Sequence, residues 1–572
     1  MNQLEDFFSD EAIILRLCKN RIKQAATRHK GLFFRQISAA EKMPEFSEEP
    51  AILPPRRQWN RFRSRKEERA PDKDHNLDAL YRATLTLRKA TPDAPWVEGL
   101  NQKIRQIRQR ALEDTSFAFT PPTVRAEEKE KDSGVYRAIT QFTADDQIIE
   151  GITAKYLREV FDETFTDSSL AFRCARPGIP APTHHDAITR IDSYRRCNQR
   201  AGLYVAECDI QGFYDCVSHR VALQSLLDLI AAASRRDCHF QIDQRALQLF
   251  QAYLACYTFP RNVKNDAEPC LKKKYGTKAV YKWPEEALRE IHNDPQTGQI
   301  GIPQGGAISC FIANCVLHQA DVAVKNSRSK ATSAFLYLRY CDDMVILAPN
   351  LKTCEVAFSA YKTALHKLLL PIHTPSAVAN YDKEFWAGKS REPYFWAKPL
   401  KTSTVPWIQF VGYQIRYDGM LRVRKKSIEK HKKQVLKETN HLLRLIAPAS
   451  ANTTDTAAAP LAVRKTPDQI IHRFKQKLIA MSVGRREVHH DLSEGMPKCW
   501  AIGFKIAQGK RIPMNAIREL DRFRERQIAR VKSRLKKYPP AKQEQGPPDN
   551  IRLPRYQGFP FSYVGQFVGG RK

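Results

Sequence analysis

Three acidic residues in this 572-residue chain stand where carboxylates are costly. Asp342 and Asp343 sit at the polar tip of segment 335–347, between two runs of aromatic, aliphatic and β-branched residues, a pattern that predicts a hairpin. Asp209 follows a second apolar run, 203–208, that reads as a strand. An isolated Asp-Asp pair is an ordinary solvated turn, but a buried, unpaired carboxylate calls for a cation. Two strand ends that offer carboxylates together form the clamp for in-line phosphoryl transfer, with two divalent ions about 3.5–4 Å apart. Metal-assisted phosphoryl transfer is therefore the chemistry these residue types suggest.

The segments around the acids resemble those of reverse transcriptases. Tyr340-Cys341-Asp342-Asp343 is similar to the family's Tyr-x-Asp-Asp box, and the stretch from Asp209 and Ile210 to Asp215 is similar to its first palm motif. Pro303-Gln304-Gly305, between them, resembles its Pro-Gln-Gly motif, so three boxes stand in the family's order. The resemblance implies an α+β right-hand polymerase fold: fingers, a palm with an antiparallel sheet and a helical thumb, here after an N-terminal helical extension. It implies that Asp209, Asp342 and Asp343 are catalytic. Two Mg²⁺, with Mn²⁺ as a substitute, would be held by Asp209, the Ile210 carbonyl, Asp342 and Asp343. Tyr214 would lie under the sugar of the incoming nucleotide, where its ring leaves no room for a 2′-hydroxyl. Otherwise it is a core aromatic. Asp215 would orient its neighbours, and Gln304 and Gly305 would meet the nascent base pair, glycine allowing close backbone approach.

Lys131 and Arg137 match the Lys-x-x-Gly-x-x-Arg hairpin of the family's fingers. An incoming triphosphate needs such cations as its pyrophosphate departs. Segments 167–173 and 185–188 resemble two further fingers pieces, in which Arg173 either touches template or braces the fold. Segment 407–415 resembles the primer-grip strand and brings Gly412 to the primer. The lysine expected after the acidic hairpin is not evident. Segment 370–375 stands there instead, so His373 is either the acid that protonates pyrophosphate or a surface histidine.

A formal net charge of +32 and a pI near 9.7 point to a polyanionic partner, and the spread of basic residues points to extended nucleic acid. In segment 54–66, Arg56, Arg57 and Arg61 alternate with Trp59, a composition that either grips phosphates and stacks bases or makes a basic linker. The 13 cysteines show no Cys-x-x-Cys spacing and several lie in apolar segments, as expected of reduced thiols in the cytoplasm. The N-terminus lacks a signal-peptide pattern, and no apolar run is expected to reach the roughly 18–20 residues of a membrane span, so no membrane partner is expected.

Apolar periodicity predicts helices at 10–28, with Asp10 as N-cap, and at 77–90 and 97–113. The expected order is a basic helical extension at 1–115, fingers and palm at 116–400 with an insertion at 260–299, primer grip and thumb at 401–540, and a tail at 541–572. Segment 447–463 reads as a low-complexity loop, and His489-His490-Asp491 lacks the cluster a metal would need. In the tail, Tyr556 and Tyr563 are candidate priming hydroxyls. The alternative is a tail docked through Phe559, Phe561 and Phe567. No protease, integrase, RNase H or Cys-His endonuclease pattern is present. The chain most resembles the bacterial "unknown group", the defence-associated reverse transcriptases. That resemblance implies dNTPs, product DNA and a dedicated non-coding RNA as partners, a second copy or second defence protein, and a role against phage. The alternatives are a group II intron-like maturase and a non-catalytic RNA-binding scaffold. The complete acid set argues against the scaffold.

Overall fold

The computed structural model describes residues 3–37, 52–63, 74–129, 133–198, 202–377, 383–397, 407–446, 466–483, 500, 515–537, 555–563 and 566–568. They fall into two compact units, 1–13 with 103–420 and 14–102 with 421–572.

In the first unit, strands β1 (Thr123–Glu128) and β2 (Val135–Gln141) pair as an antiparallel hairpin. Strand β3 (Leu203–Cys208) is buried along nearly its whole length, as its continuous apolar run predicts. The insertion is structured. After a π-helical turn, Phe259–Ala267, and a short helix, Glu268–Tyr275, it sends strand β4 (Val280–Tyr281) to pair parallel with β2. Strands β5 (Leu336–Tyr340) and β6 (Asp343–Ala348) form the expected hairpin, and β7 (Arg391–Trp396) completes a four-stranded antiparallel sheet in the order β5-β6-β3-β7. Strands β8 (Trp407–Phe410) and β9 (Tyr413–Arg416) form a further hairpin.

The helix Ala307–Asn326 packs against the helices Ala144–Phe161, His219–Arg236 and Leu351–Lys367. It corrects one expectation. The segment Ala307–Lys330 is long and apolar enough to cross a membrane, with a mean hydropathy of 1.4 over its best window, but 67% of that window is buried within the protein. A helix surrounded by others on several sides is apolar all round for that reason.

The second unit is mainly helical. Helices Lys425–Ile446, Pro467–Val483 and Asn515–Lys537 share a core of Val435, Leu442, Ile470, Phe474, Leu478, Ile528 and Val531. The first long helix spans Asp10–Ile37, further than its periodicity showed. Ser9 rather than Asp10 caps it, accepting from the Ala12 N–H at 3.3 Å. His75–Ala90 is capped by Asp74, and Pro95–Arg108 follows.

Candidate active site

The β5–β6 hairpin closes through two residues: Tyr340 pairs with Asp343, and Cys341 and Asp342 form the tip. Cys341 has φ +59°, a left-handed conformation that a non-glycine residue keeps only when its surroundings hold it. Arg339 does the holding. Its side chain is wholly buried, and its Nη1 donates to the Cys341 carbonyl at 2.8 Å. Its Nε and Nη2 make a two-point pair with Asp321 at 2.8 and 2.6 Å. Ser169 and Asn314 accept the other two donors, so all five guanidinium N–H groups are used.

Cys208 pairs with Met344, so Asp209, the next residue, comes level with the tip. Its N–H donates to Ser390 Oγ at 2.9 Å, and its carbonyl accepts from the His373 N–H at 3.1 Å. Lys389 Nζ donates to Asp209 Oδ2 at 2.8 Å, with His373 Nε2 3.5 Å from that oxygen and 3.0 Å from the ammonium. Burial, and next among the opposing charges Asp209, push the Asp342 carboxyl above its ordinary range, while the Cys341 thiol and Lys389 pull the other way. Asp343 is exposed at the start of β6, and Ile210 is buried where it bridges to Ile372.

Among the described residues no group of three His, Cys, Asp or Glu side chains converges as a ready metal cage. The donors still suit a hard divalent cation. Two carboxylates interact unfavourably at adjoining strand ends, one of them where charge is costly, and a cation would relieve both.

Tyr214 is half-buried, with its hydroxyl 3.4 Å from Cys341 Sγ, and burial raises both groups, the thiol to about 12. Asp215 is pushed up to about 7 by burial, against the pull of Arg137 and Lys129, and its Oδ1 has no hydrogen-bond partner. The Gln304 carbonyl accepts from the N–H and hydroxyl of Thr140 at 3.0 and 3.1 Å, seating the loop on β2. Gly305 has φ +124°, and a Cβ there would sit 3.2 Å from the Thr140 carbonyl. A Cβ on Gly306 would strike the Tyr253 hydroxyl at 1.9 Å.

Arg137 is exposed on β2, whereas Lys131 lies outside the described residues. The geometry favours the bracing alternative for Arg173. All five of its donors are engaged by Asp162 and by the Thr166 and Ser169 carbonyls, leaving none for template. Gly412 (φ +88°) and Val411 (φ +42°) form the β8–β9 turn, and the second of these is a strained position for a β-branched residue. Tyr413, just after it, is 2.8 Å from His185 Nδ1.

In the second unit Arg56, Arg57 and Arg61 are exposed, while Trp59 is half-covered with Arg63 5.7 Å from its ring centre. The Phe561 and Ser562 N–H groups donate to Asp521, and Phe561 is buried with Ile428, Ile517 and Leu520. This part of the tail is docked. Tyr563 beside it is 65% exposed, and the Tyr556 side chain lies outside the described residues.

Sequence reasoning missed Lys389, Ser390 and the Arg339–Asp321 pair. The signal for Lys389 was a Gly-Lys-Ser turn directly before a strand, but it lies well beyond the segment where the family's lysine was sought.

Residues 128–375 match the family described as reverse transcriptase (RNA-dependent DNA polymerase). The chain carries a reverse transcriptase domain. By class this is an RNA-directed DNA polymerase domain, a nucleotidyltransferase, and its fold is the right-hand polymerase fold. No curated protein matches the chain. Among solved structures, apo telomerase from Candida tropicalis truncated from its C-terminal domain is similar at 14% identity, covering 54% of this chain and 55% of that one, with a TM-score of 0.33. Telomerase from Candida albicans with a fragment of telomeric RNA is similar at 13% identity, 77% and 63% coverage, and a TM-score of 0.30. The chain thus spans a little over half the length of the truncated telomerase.

Proposed function

We propose that this protein is a working reverse transcriptase that makes DNA from dNTPs on an RNA template, with Asp209 and Asp342 as its metal-bearing acids. The observation that carries the reading is the meeting of Asp209 with the Asp342 hairpin tip inside a reverse transcriptase domain. Asp209, the Ile210 carbonyl, Asp342 and Asp343 would hold the two Mg²⁺ ions, or Mn²⁺ in their place. Bound there, the ions would supply Lewis-acid activation of the primer hydroxyl and charge neutralisation at the leaving pyrophosphate. The chain's own residues do the rest. Arg339 fixes the tip that carries Asp342, Tyr214 walls the sugar site, and the Lys389 ammonium, which also donates to His373 Nε2, is placed beside Asp209 to serve as proton donor to the leaving group.

The division into N-terminal extension, fingers and palm, primer grip and thumb, and tail belongs to this proposal. So do a cytoplasmic location, a dedicated non-coding RNA partner and a role in antiphage defence, which rest on the sequence resemblance and on the charge of +32. The test is primer extension by the purified chain on an RNA template with Mg²⁺, together with sequencing of the nucleic acid that co-purifies. Incorporation that requires RNA template and is lost in Asp342→Asn supports the reading. Absence of incorporation on every template, with only RNA bound, would make the protein a binding scaffold. Intron RNA in the bound fraction would favour a maturase.

A further inference from the structure

The insertion between the first palm motif and the Pro-Gln-Gly loop has a structural role that its sequence did not show. Val135 pairs with Val280 and Tyr136 with Tyr281 in parallel register, and the ladder continues through the Lys282 N–H, which donates to the Tyr136 carbonyl at 3.2 Å. Continued by one residue, that register sets Lys282 abreast of Arg137. In-register residues of neighbouring strands point to the same face of a sheet, and both side chains are exposed.

The next residue fixes the depth of the strand. Trp283 donates from Nε1 to the Asp215 carbonyl at 3.1 Å and stacks on Phe259 with ring centres 5.3 Å apart. The insertion is thereby tied to the motif that carries Asp209. Glu268 secures it from behind, paired with Lys264 and Lys272 at 2.7 and 2.8 Å.

The charges around this strand are one-sided. Burial, then Lys389, Lys282 and Arg137, lower Lys129, while Asp209 raises it. Lys129 and the three cations within its electrostatic range therefore come from three segments: Lys129 and Arg137 from the β1–β2 hairpin, Lys282 from the insertion, and Lys389 from the turn before β7, the last of them paired with Asp209. Like charges abreast in a sheet are destabilising, and a compact polyanion would reverse that cost.

We infer that Lys282 contacts the triphosphate of the incoming nucleotide, so that the insertion acts as a third fingers strand that extends the phosphate site. This deepens the polymerase reading and rests on it.

Two measurements test it on the full-length protein. In the first, tripolyphosphate binding is measured without metal or template for the wild type, Lys282→Ala and Lys282→Arg. Losing one charged hydrogen bond should weaken binding about tenfold in the alanine variant, and arginine should restore most of it. In the second, steady-state extension on poly(rA) with an oligo(dT) primer should show KM for dTTP raised by about the same factor, with kcat changed far less. Unchanged tripolyphosphate binding and unchanged KM in Lys282→Ala would overturn the assignment. Equal loss of kcat and melting temperature without arginine rescue would overturn it too, leaving the insertion a purely structural brace. A wild type that binds tripolyphosphate but incorporates no nucleotide would instead defeat the polymerase reading.

Discussion

The acidic hairpin and the helical core of the second unit hold their backbones by different means. Around β5–β6 the holding groups are charged and buried. Arg339 and Asp321 are both inaccessible to solvent, Asn314 and Ser169 complete the set, and Glu207 and Arg391 pair across β3 and β7 nearby. In the second unit Val435, Leu442, Ile470, Phe474 and Leu478 do that work, and ion pairs such as Lys432 with Glu519 stay partly exposed. Directional bonds fix one geometry, whereas apolar packing tolerates many side chains of similar volume. The first unit gives up tolerance for a defined strand end, and the second has no such demand.

The largest effect separates activity from stability. Asp342→Asn should cut extension by about a thousandfold or more, since it removes a charge placed for the transition state. It should leave the fold intact or firmer. The carboxyl is raised above its ordinary 3.8 in the fold, so above that pH its ionised form costs stability that the neutral amide does not. Thermal melting at pH 7.5 beside an extension assay checks both. A variant that loses activity by unfolding would erase the contrast between the regions.

Arg339 probes the same contrast through the brace. Arg339→Met leaves Asp321 buried without its partner and should cost about 3–5 kcal/mol in denaturant unfolding. Replacing the pair together, Arg339→Met with Asp321→Leu, should recover most of the stability but not the extension rate, because the Cys341 carbonyl still lacks its donor. In the second unit Leu478→Met should cost less than about 1.5 kcal/mol. Full activity in the double variant would show that the hairpin keeps its shape without the buried ions.

Tyr214 gives a smaller and more selective effect. Its hydroxyl lies 3.4 Å from Cys341 Sγ at the hairpin tip. Tyr214→Ala should reduce discrimination against ribonucleotides on the order of a hundredfold, the scale of a steric pocket change. The ratio of kcat/KM for dTTP and rUTP measures it. An unmoved ratio would remove Tyr214 as the gate.

What could be read from the sequence follows the same division. The hairpin, the strand before Asp209 and the Pro-Gln-Gly loop were legible because short apolar runs and three local boxes mark them. The helices expected at 10–28, 77–90 and 97–113 were legible from their stripes, although the first runs on to Ile37. The partners of the site were not. Lys389 reaches Asp209 from 180 residues away, and Asp321 meets Arg339 from the C-terminal part of the helix Ala307–Asn326. A buried ion pair has no periodic signature. Nor did the insertion's pairing with β2 announce itself, since β4 has only two residues.

The smallest effect concerns the exposed basic segment of the second unit. Arg56 and Arg57 lie in a short helix that begins after Pro55, and Arg61 lies in the 3₁₀ turn that continues it. Arg82 donates to the Phe62 carbonyl at 2.7 Å and Arg63 to Asn76 at 2.5 Å, so this segment is anchored to the helix His75–Ala90 while its outer arginines stay free of the core. Such a ridge contributes to binding through counterion release, a term that adds phosphate by phosphate and needs no defined geometry. Changing Arg56, Arg57 and Arg61 to Ala should therefore weaken RNA binding with little change in extension rate at saturating RNA. The slope of log K against log salt should fall by about 0.7–0.9 for each phosphate that is no longer neutralised. A salt titration of RNA binding by fluorescence anisotropy, wild type beside triple variant, reads that slope directly. An unchanged slope would make the segment a solvated face of the helical unit. A lower extension rate at saturating RNA would mean that this ridge, like the acidic hairpin, depends on exact placement.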